Sequence, residues 1–163
     1  MTEIKDSGKR QEFQTGAVRD TAEGKIRWSL LPPCCWRFAN PDIPILLQRY
    51  LADGCSSWLY GVLCYELAKE GSLARLENWL ALGAAKYSPY NWCKGMPVTR
   101  CLDSLGRHLA AMAKGKDDED HYAAYLCNLV FISTYHELYQ DDPTICDFHG
   151  FKLKSTTSTA EEL

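Results

Sequence analysis

A series of apolar stripes at helical spacing, each bounded by a glycine, a serine or a proline, limits this chain more than any other feature. "RFANPDIPILLQRYLADG" is broken by prolines at its start, then carries Leu46, Leu47, Tyr50 and Leu51 on one side and stops at Gly54. "SSWLYGVLCYELAKEG" opens on serines, aligns Leu59, Leu63 and Leu67, and stops at Gly71. "SLARLENWLALGAAKY" repeats the device, with Ser72 as its cap and Leu73, Leu76, Trp79 and Leu80 as its stripe. No central run alternates apolar and polar residues over the length of a strand. The expected fold class is therefore all-α, a bundle of roughly five helices behind a loop-rich N-terminal segment. That segment, "TGAVRDTAEGKIRWSLLPP", has Gly16, Gly24 and the pair Pro32, Pro33, and reads as ordered loop.

With 163 residues, the chain has the length of one domain with a core of its own. The polar ends "MTEIKDSGKRQEFQ" and "KSTTSTAEEL" predict a flexible N-terminal arm over 1–14 and a flexible tail over 151–163, leaving a single domain over 15–150. A net charge of -3 gives no basic footprint for nucleic acid. No run approaches the roughly 18 apolar residues that span a bilayer, and nothing resembles a signal peptide, so the expectation is a cytoplasmic protein without a membrane partner. The 8 cysteines contain no CxxC pair and read as free thiols in a reducing compartment.

Two segments carry chemistry. In "TRCLDSLGRHLAAMAKG", a rotation of about 100° per residue gathers Leu102, Leu105, Leu109 and Met112 on one face and Asp103, Ser104, Arg107 and His108 on the other. The bland account of that second face is a solvated surface with an Asp103–Arg107 pair. In "GKDDEDHYAAYLCNLVF", the same rotation aligns Asp117, Asp120, His121, Ala124 and Asn128, with Glu119 pointing the other way. Acids in a first turn favour the helix dipole, and Asp117 or Asp118 can serve as a cap. Asn128 is harder to explain that way, because it stands among Cys127, Leu129, Val130 and Phe131, where an amide without a partner costs about 1–3 kcal/mol. A line of oxygen donors there suits Mg²⁺ or Mn²⁺ together with substrate phosphates, so the expected cofactor is Mg²⁺, with Mn²⁺ or Co²⁺ as alternatives. Arg19, Lys25, Arg27, Lys86, Lys94 and Arg107 supply cations for phosphate, and Trp28, Tyr87 and Trp92 supply faces on which a base can stack.

Taken in order, "TGAVRDTAEGKIRWSLLPP", "GAAKYSPYNWCKGMP", "DSLGRHL" and "DEDHYAAYLCNL" closely resemble the phage-associated dATP/dGTP diphosphohydrolase N-terminal-domain family, itself similar to the all-α MazG-like nucleoside triphosphate pyrophosphohydrolases. The resemblance implies cleavage of a deoxynucleoside triphosphate to monophosphate and pyrophosphate, a divalent metal held by acidic residues, and a homo-oligomer, dimer or tetramer. If the chain is phage-encoded, it also implies residence in the host cytoplasm. On this reading the metal ligands come from Asp117, Asp120, Glu119, Asp103 and Glu77, either Asp117 with Asp120 or Glu119 with Asp120 standing for the second acidic helix. Lys25, Lys86 and Arg107 would take the phosphate tail and Asn91 and Trp92 the sugar or base, with Arg27, Tyr87 and Asn128 as further substrate-binding residues. His121, His108 and Glu119 are the candidates for orienting water and moving protons.

The chain departs from the family pattern in a helical insertion at about 41–72 and in lacking a clean ExxD pair. Cys127 also stands where relatives carry a larger ring. A second reading follows from those departures: a non-catalytic nucleotide-binding or assembly module on the same fold. A His–Asp metal phosphohydrolase fits less well, because the dipeptide here runs Asp120-His121 and the chain has only 4 histidines.

Overall fold

The computed structural model describes residues 4–5 and 8–151, apart from the side chain of residue 38. Six α-helices dominate, as the stripes require: α1 (Pro33–Ala39), α2 (Ile45–Asp53), α3 (Ser57–Leu67), α4 (Ser72–Lys86), α5 (Val98–Ala113) and α6 (His121–Leu138). Short 3-10 turns over Trp28–Leu30 and Asn91–Lys94 punctuate the connections. A two-stranded antiparallel hairpin, β1 (Arg10–Glu12) with β2 (Val18–Asp20), stands at the N-terminal end and pairs Arg10 with Asp20 and Glu12 with Val18. Its β1 strand lies in the segment expected to be an arm. The tail expected over 151–163 lies outside the described residues except for Phe151, whose N–H donates to the Leu51 carbonyl at 3.0 Å.

The core centres on α6, which buries Ala123, Ala124, Leu126, Leu129, Ile132 and Tyr135 and packs along α5, its most extensive neighbour. Helices α3 and α4 close its other side. Leu47, Tyr50 and Leu51 of α2 and Leu59 of α3 are fully buried, each such side chain contributing roughly 1.5–3 kcal/mol. Gly54 ends α2 in the left-handed conformation with φ of 71°, and a Cβ there would stand 2.5 Å from the His149 carbonyl carbon. The chain can thus cross closely over the end of α2.

Two boundaries differ from the periodicity reading. Ser72 begins α4 as its first helical residue after Gly71, and its hydroxyl bonds the Tyr122 hydroxyl at 3.0 Å instead of capping a backbone amide. Helix α6 starts at His121, with the Asp120 carboxylate accepting from the Ala123 N–H at 2.9 Å. Asp117, Asp118 and Glu119 therefore precede the helix, and rotation per residue does not place them. Both faces of α5 are covered: Leu102, Leu105 and Leu109 are buried, and so are Asp103 and Ser104. The solvated face does not exist, and no Asp103–Arg107 ion pair forms among the described residues.

Candidate active site

Helices α4, α5 and α6 and the hairpin enclose a cavity of about 920 Å³. That volume is within the roughly 300–1,000 Å³ usual for small-molecule sites. Its walls come from sequence positions as distant as Lys5 and Phe131. The polar side of α5 forms one wall, with Arg100, Ser104, Arg107 and His108 at helical spacing.

At one end, His108, Glu119 and His121 bring ligand atoms within 4.8 Å of one another. The two Nδ1 atoms are 3.0 Å apart, and Glu119 Oε1 lies 3.6 Å from His108 Nδ1 and 3.5 Å from His121 Nδ1. Behind them, Asp118 Oδ1 lies 2.8 Å from His121 Nε2, while its other oxygen pairs with the Lys5 ammonium. Hydrogen bonds from Lys5 and His121 hold the Asp118 carboxyl down at about 2. Burial, then the neighbouring His121, pushes the His108 imidazole down to about 3, so it is neutral at physiological pH and keeps a lone pair.

The middle of the cavity is cationic. Arg107 Nη1 and Arg100 Nε are buried and have no hydrogen-bond partner. Burial, followed by the charges of Arg19 and Arg100, pulls the Arg107 guanidinium down to about 10, and burial and Arg19 lower Arg100 likewise. Lys25 is lowered by burial and by Arg107. Arg19 reaches the interior, donating to Asn128 Oδ1 at 2.7 Å and to the sulfurs of Met96 and Cys101. Four cations share one space, and none of the four makes an ion pair among the described residues. Such mutual repulsion is relieved by a polyanion.

The other wall is closed on itself. Lys86 Nζ donates to Asp20 Oδ2 at 3.0 Å and to the Lys5 carbonyl at 2.7 Å, and the Tyr87 hydroxyl donates to Asp20 Oδ1 at 3.1 Å. Burial raises the Asp20 carboxyl, but hydrogen bonds from Lys86 and Tyr87 and the Lys86 and Arg10 charges outweigh it, so it ends lowered. Asn91 forms a two-point clamp on Val18, accepting from its N–H and donating to its carbonyl, both at 2.8 Å. Trp92 stacks on Phe131 with centroids 5.9 Å apart and planes inclined by 16°.

The residues singled out in the sequence thus part company. His108, His121, Glu119, Arg107, Lys25, Lys86, Tyr87, Asn91, Trp92, Asn128 and Glu77 line the cavity. Asp120, Asp117, Asp103 and Arg27 do not. The Asp120 carboxylate caps α6 and receives both arms of Arg75, at 2.9 and 2.5 Å. Asp103 is buried, accepts from the Ser29 N–H at 2.7 Å and lies 3.9 Å from Arg27, so both serve to dock the Trp28–Leu30 turn on α5. Asp117 is exposed. Arg100 and Asp118 went unassigned in the sequence, although each carries a signal there. Arg100 is four residues before Ser104 and seven before Arg107, on the same helix face, and Asp118 precedes His121 by three.

Residues 62–142, about half of the chain, match the family described as dATP/dGTP diphosphohydrolase, N-terminal. Over that stretch the chain belongs to this family. The matched region contains His108, Glu119, His121, Arg100 and Arg107, and leaves out Arg19, Asp20 and Lys25 from the hairpin side. No curated protein and no solved structure matches the chain. Among the described residues, no helix is long and apolar enough to cross a membrane. All eight cysteines are free thiols, and burial pushes the cavity-facing Cys127 up to about 12.

Proposed function

We propose that this protein is a metal-dependent diphosphohydrolase that cleaves dATP or dGTP to the deoxynucleoside monophosphate and pyrophosphate. One observation carries the reading: two half-buried guanidinium groups, each with a buried N–H donor left without a partner, Arg100 Nε and Arg107 Nη1, share a cavity with the His108–Glu119–His121 cluster. A polyanion satisfies the first group and a divalent ion the second. The cluster fits such an ion, because three donors about 2.0–2.2 Å from a common centre lie about 3.0–3.6 Å from one another, as His108 Nδ1, His121 Nδ1 and Glu119 Oε1 do. When bound there, a divalent cation supplies Lewis acidity toward a phosphate oxygen and a water.

The chain's own groups do the rest. Arg100, Arg107, Arg19 and Lys25 bind the triphosphate and neutralise the charge that accumulates on departing pyrophosphate. Asp118 fixes the tautomer and orientation of His121 by accepting from its Nε2. Trp92, held flat against Phe131, offers an aromatic surface for a purine. Lys86 and Asn91 shape the cavity by holding the hairpin, and act on substrate through that wall. The protein works in the cytoplasm, as a homo-oligomer.

The test is pyrophosphate release from a panel of deoxynucleoside and nucleoside triphosphates with divalent metal added, comparing the native chain with Glu119→Gln. Release of pyrophosphate and monophosphate from dATP or dGTP, reduced at least about a hundredfold in the variant, is expected. Nucleotide binding without any turnover by the folded native chain sinks the enzyme reading and leaves a binding module.

A further inference from the structure

From the donor set we infer that the His108–Glu119–His121 cluster is a site for a borderline transition ion of the Zn²⁺ or Co²⁺ type, with Asp118 as its outer-shell partner, and not a Mg²⁺ site. The inference rests on the metal-dependent reading above and narrows it.

Mg²⁺ is held by oxygen and keeps most of its waters, so its protein sites offer one or two carboxylates and substrate phosphates. Here two of the three donors are imidazole nitrogens, and imidazole suits Zn²⁺ and its neighbours in the first transition row. The nitrogens are built into the protein. His121 is buried, its Nε2 is engaged by Asp118 at 2.8 Å, and its Nδ1 faces His108 Nδ1 at 3.0 Å. With the Nε2 proton committed to Asp118, His121 Nδ1 presents a lone pair, and the His108 Nδ1 proton fills the gap between the rings. An ion takes the place of that proton once His108 carries it on Nε2 instead. The carboxylate–histidine arrangement is the outer shell that metal-binding imidazoles use to fix their tautomer. Asp118 pairs at its second oxygen with Lys5 in an exposed ion pair. The other acids do not join the cluster: Asp120 is taken up by Arg75 and the α6 cap, Asp117 is outside the cavity lining, and Glu77 lines the cavity without a ligand atom in the converging set.

The test loads the full chain, stripped of metal by chelator and dialysis, with Co²⁺, Zn²⁺ or Mg²⁺ in turn, without nucleotide. Expected are Co²⁺ visible absorption bands saturating at one ion per chain, displacement of Co²⁺ by Zn²⁺, and survival of the bands in roughly a hundredfold excess of Mg²⁺. Glu119→Gln and His108→Ala should abolish the bands, and Asp118→Asn should weaken Co²⁺ binding about 10–100-fold while circular dichroism stays native. Glu119→Gln is nearly isosteric and keeps the test valid if His108→Ala does not fold. Absence of the bands, or their loss to equimolar Mg²⁺, overturns the inference. Full-rate pyrophosphate release with Mg²⁺ and no Co²⁺ spectrum would falsify the metal assignment and leave the hydrolase standing. A saturating spectrum with no turnover does the opposite.

Discussion

The two walls of the cavity treat charge in opposite ways. On the hairpin side, Lys86, Tyr87 and Arg10 converge on Asp20, and Asn91 clamps Val18, so each polar group in that network has its partner. On the α5 side, Arg100 Nε and Arg107 Nη1 are buried N–H donors without any partner, Arg100 meeting the hairpin only through Nη2 to the Asp20 carbonyl at 3.0 Å, and burial with the neighbouring cations outweighs the nearby Asp103. A satisfied network stabilises the native state, whereas an unsatisfied one costs stability that only a ligand restores. On the proposed function, the difference separates residues that build the site from residues that use it, although both sets are basic and face the same space.

Substitution should break the comparison in the direction each wall predicts. Arg107→Met removes a half-buried cation that makes no ion pair among the described residues, so kcat/KM for dATP or dGTP should fall about a hundredfold while Tm holds or rises. A matching loss of Tm would mean that Arg107 belongs to the structural wall. Asp20→Asn does the reverse: it leaves Lys86 without its counter-ion in a half-buried position, costing about 1–3 kcal/mol in urea unfolding at neutral pH with little change in kcat. Its pH dependence sharpens the point. The Asp20 carboxyl is lowered from its ordinary 3.8, so its contribution is complete above that value and is lost as pH falls through the lower folded one. The native chain should therefore lose stability in that acid window more steeply than Asp20→Asn does. The smallest effect is expected at Asp120, where replacement by Ala removes the α6 cap and the Arg75 pair for about 1 kcal/mol of stability, with turnover kept within about threefold. Loss of turnover at that position would return Asp120 to the proposed metal site.

The fold was legible in the sequence because helices announce themselves through local periodicity, and the stripes at Leu47, Tyr50 and Leu51 and at Leu102, Leu105 and Leu109 are buried as their spacing required. The hairpin was not, because strands of three residues carry no alternation long enough to notice. In the acidic run, one unforeseen cap decided the outcome: with Asp120 turned to Ala123 and Arg75, the chain before His121 leaves the helix and sends Glu119 to the histidines. Rotation per residue is blind to that, since it assumes the helix it is used to test. The α5 wall was half legible. Its histidine and arginine were read together, yet Asp103 was counted on their face and Arg100 was not, a matter of about 60° in azimuth.

Helix α5 also has an indole against its back. Gly106 lies one residue from Arg107, and a Cβ on it would land on the Trp28 ring. With the cavity in front, α6 alongside and Trp28 behind, the stretch from Cys101 to Gly106 is buried at every position. An ordinary amphipathic helix leaves an outer strip on which evolution can write almost anything, and saturation mutagenesis of such a helix shows tolerance rising and falling with each turn. Here that rhythm should vanish. The tolerance profile from Cys101 to Gly106 should be uniformly low, with glycine at 106 as strictly required as any charge that faces the cavity.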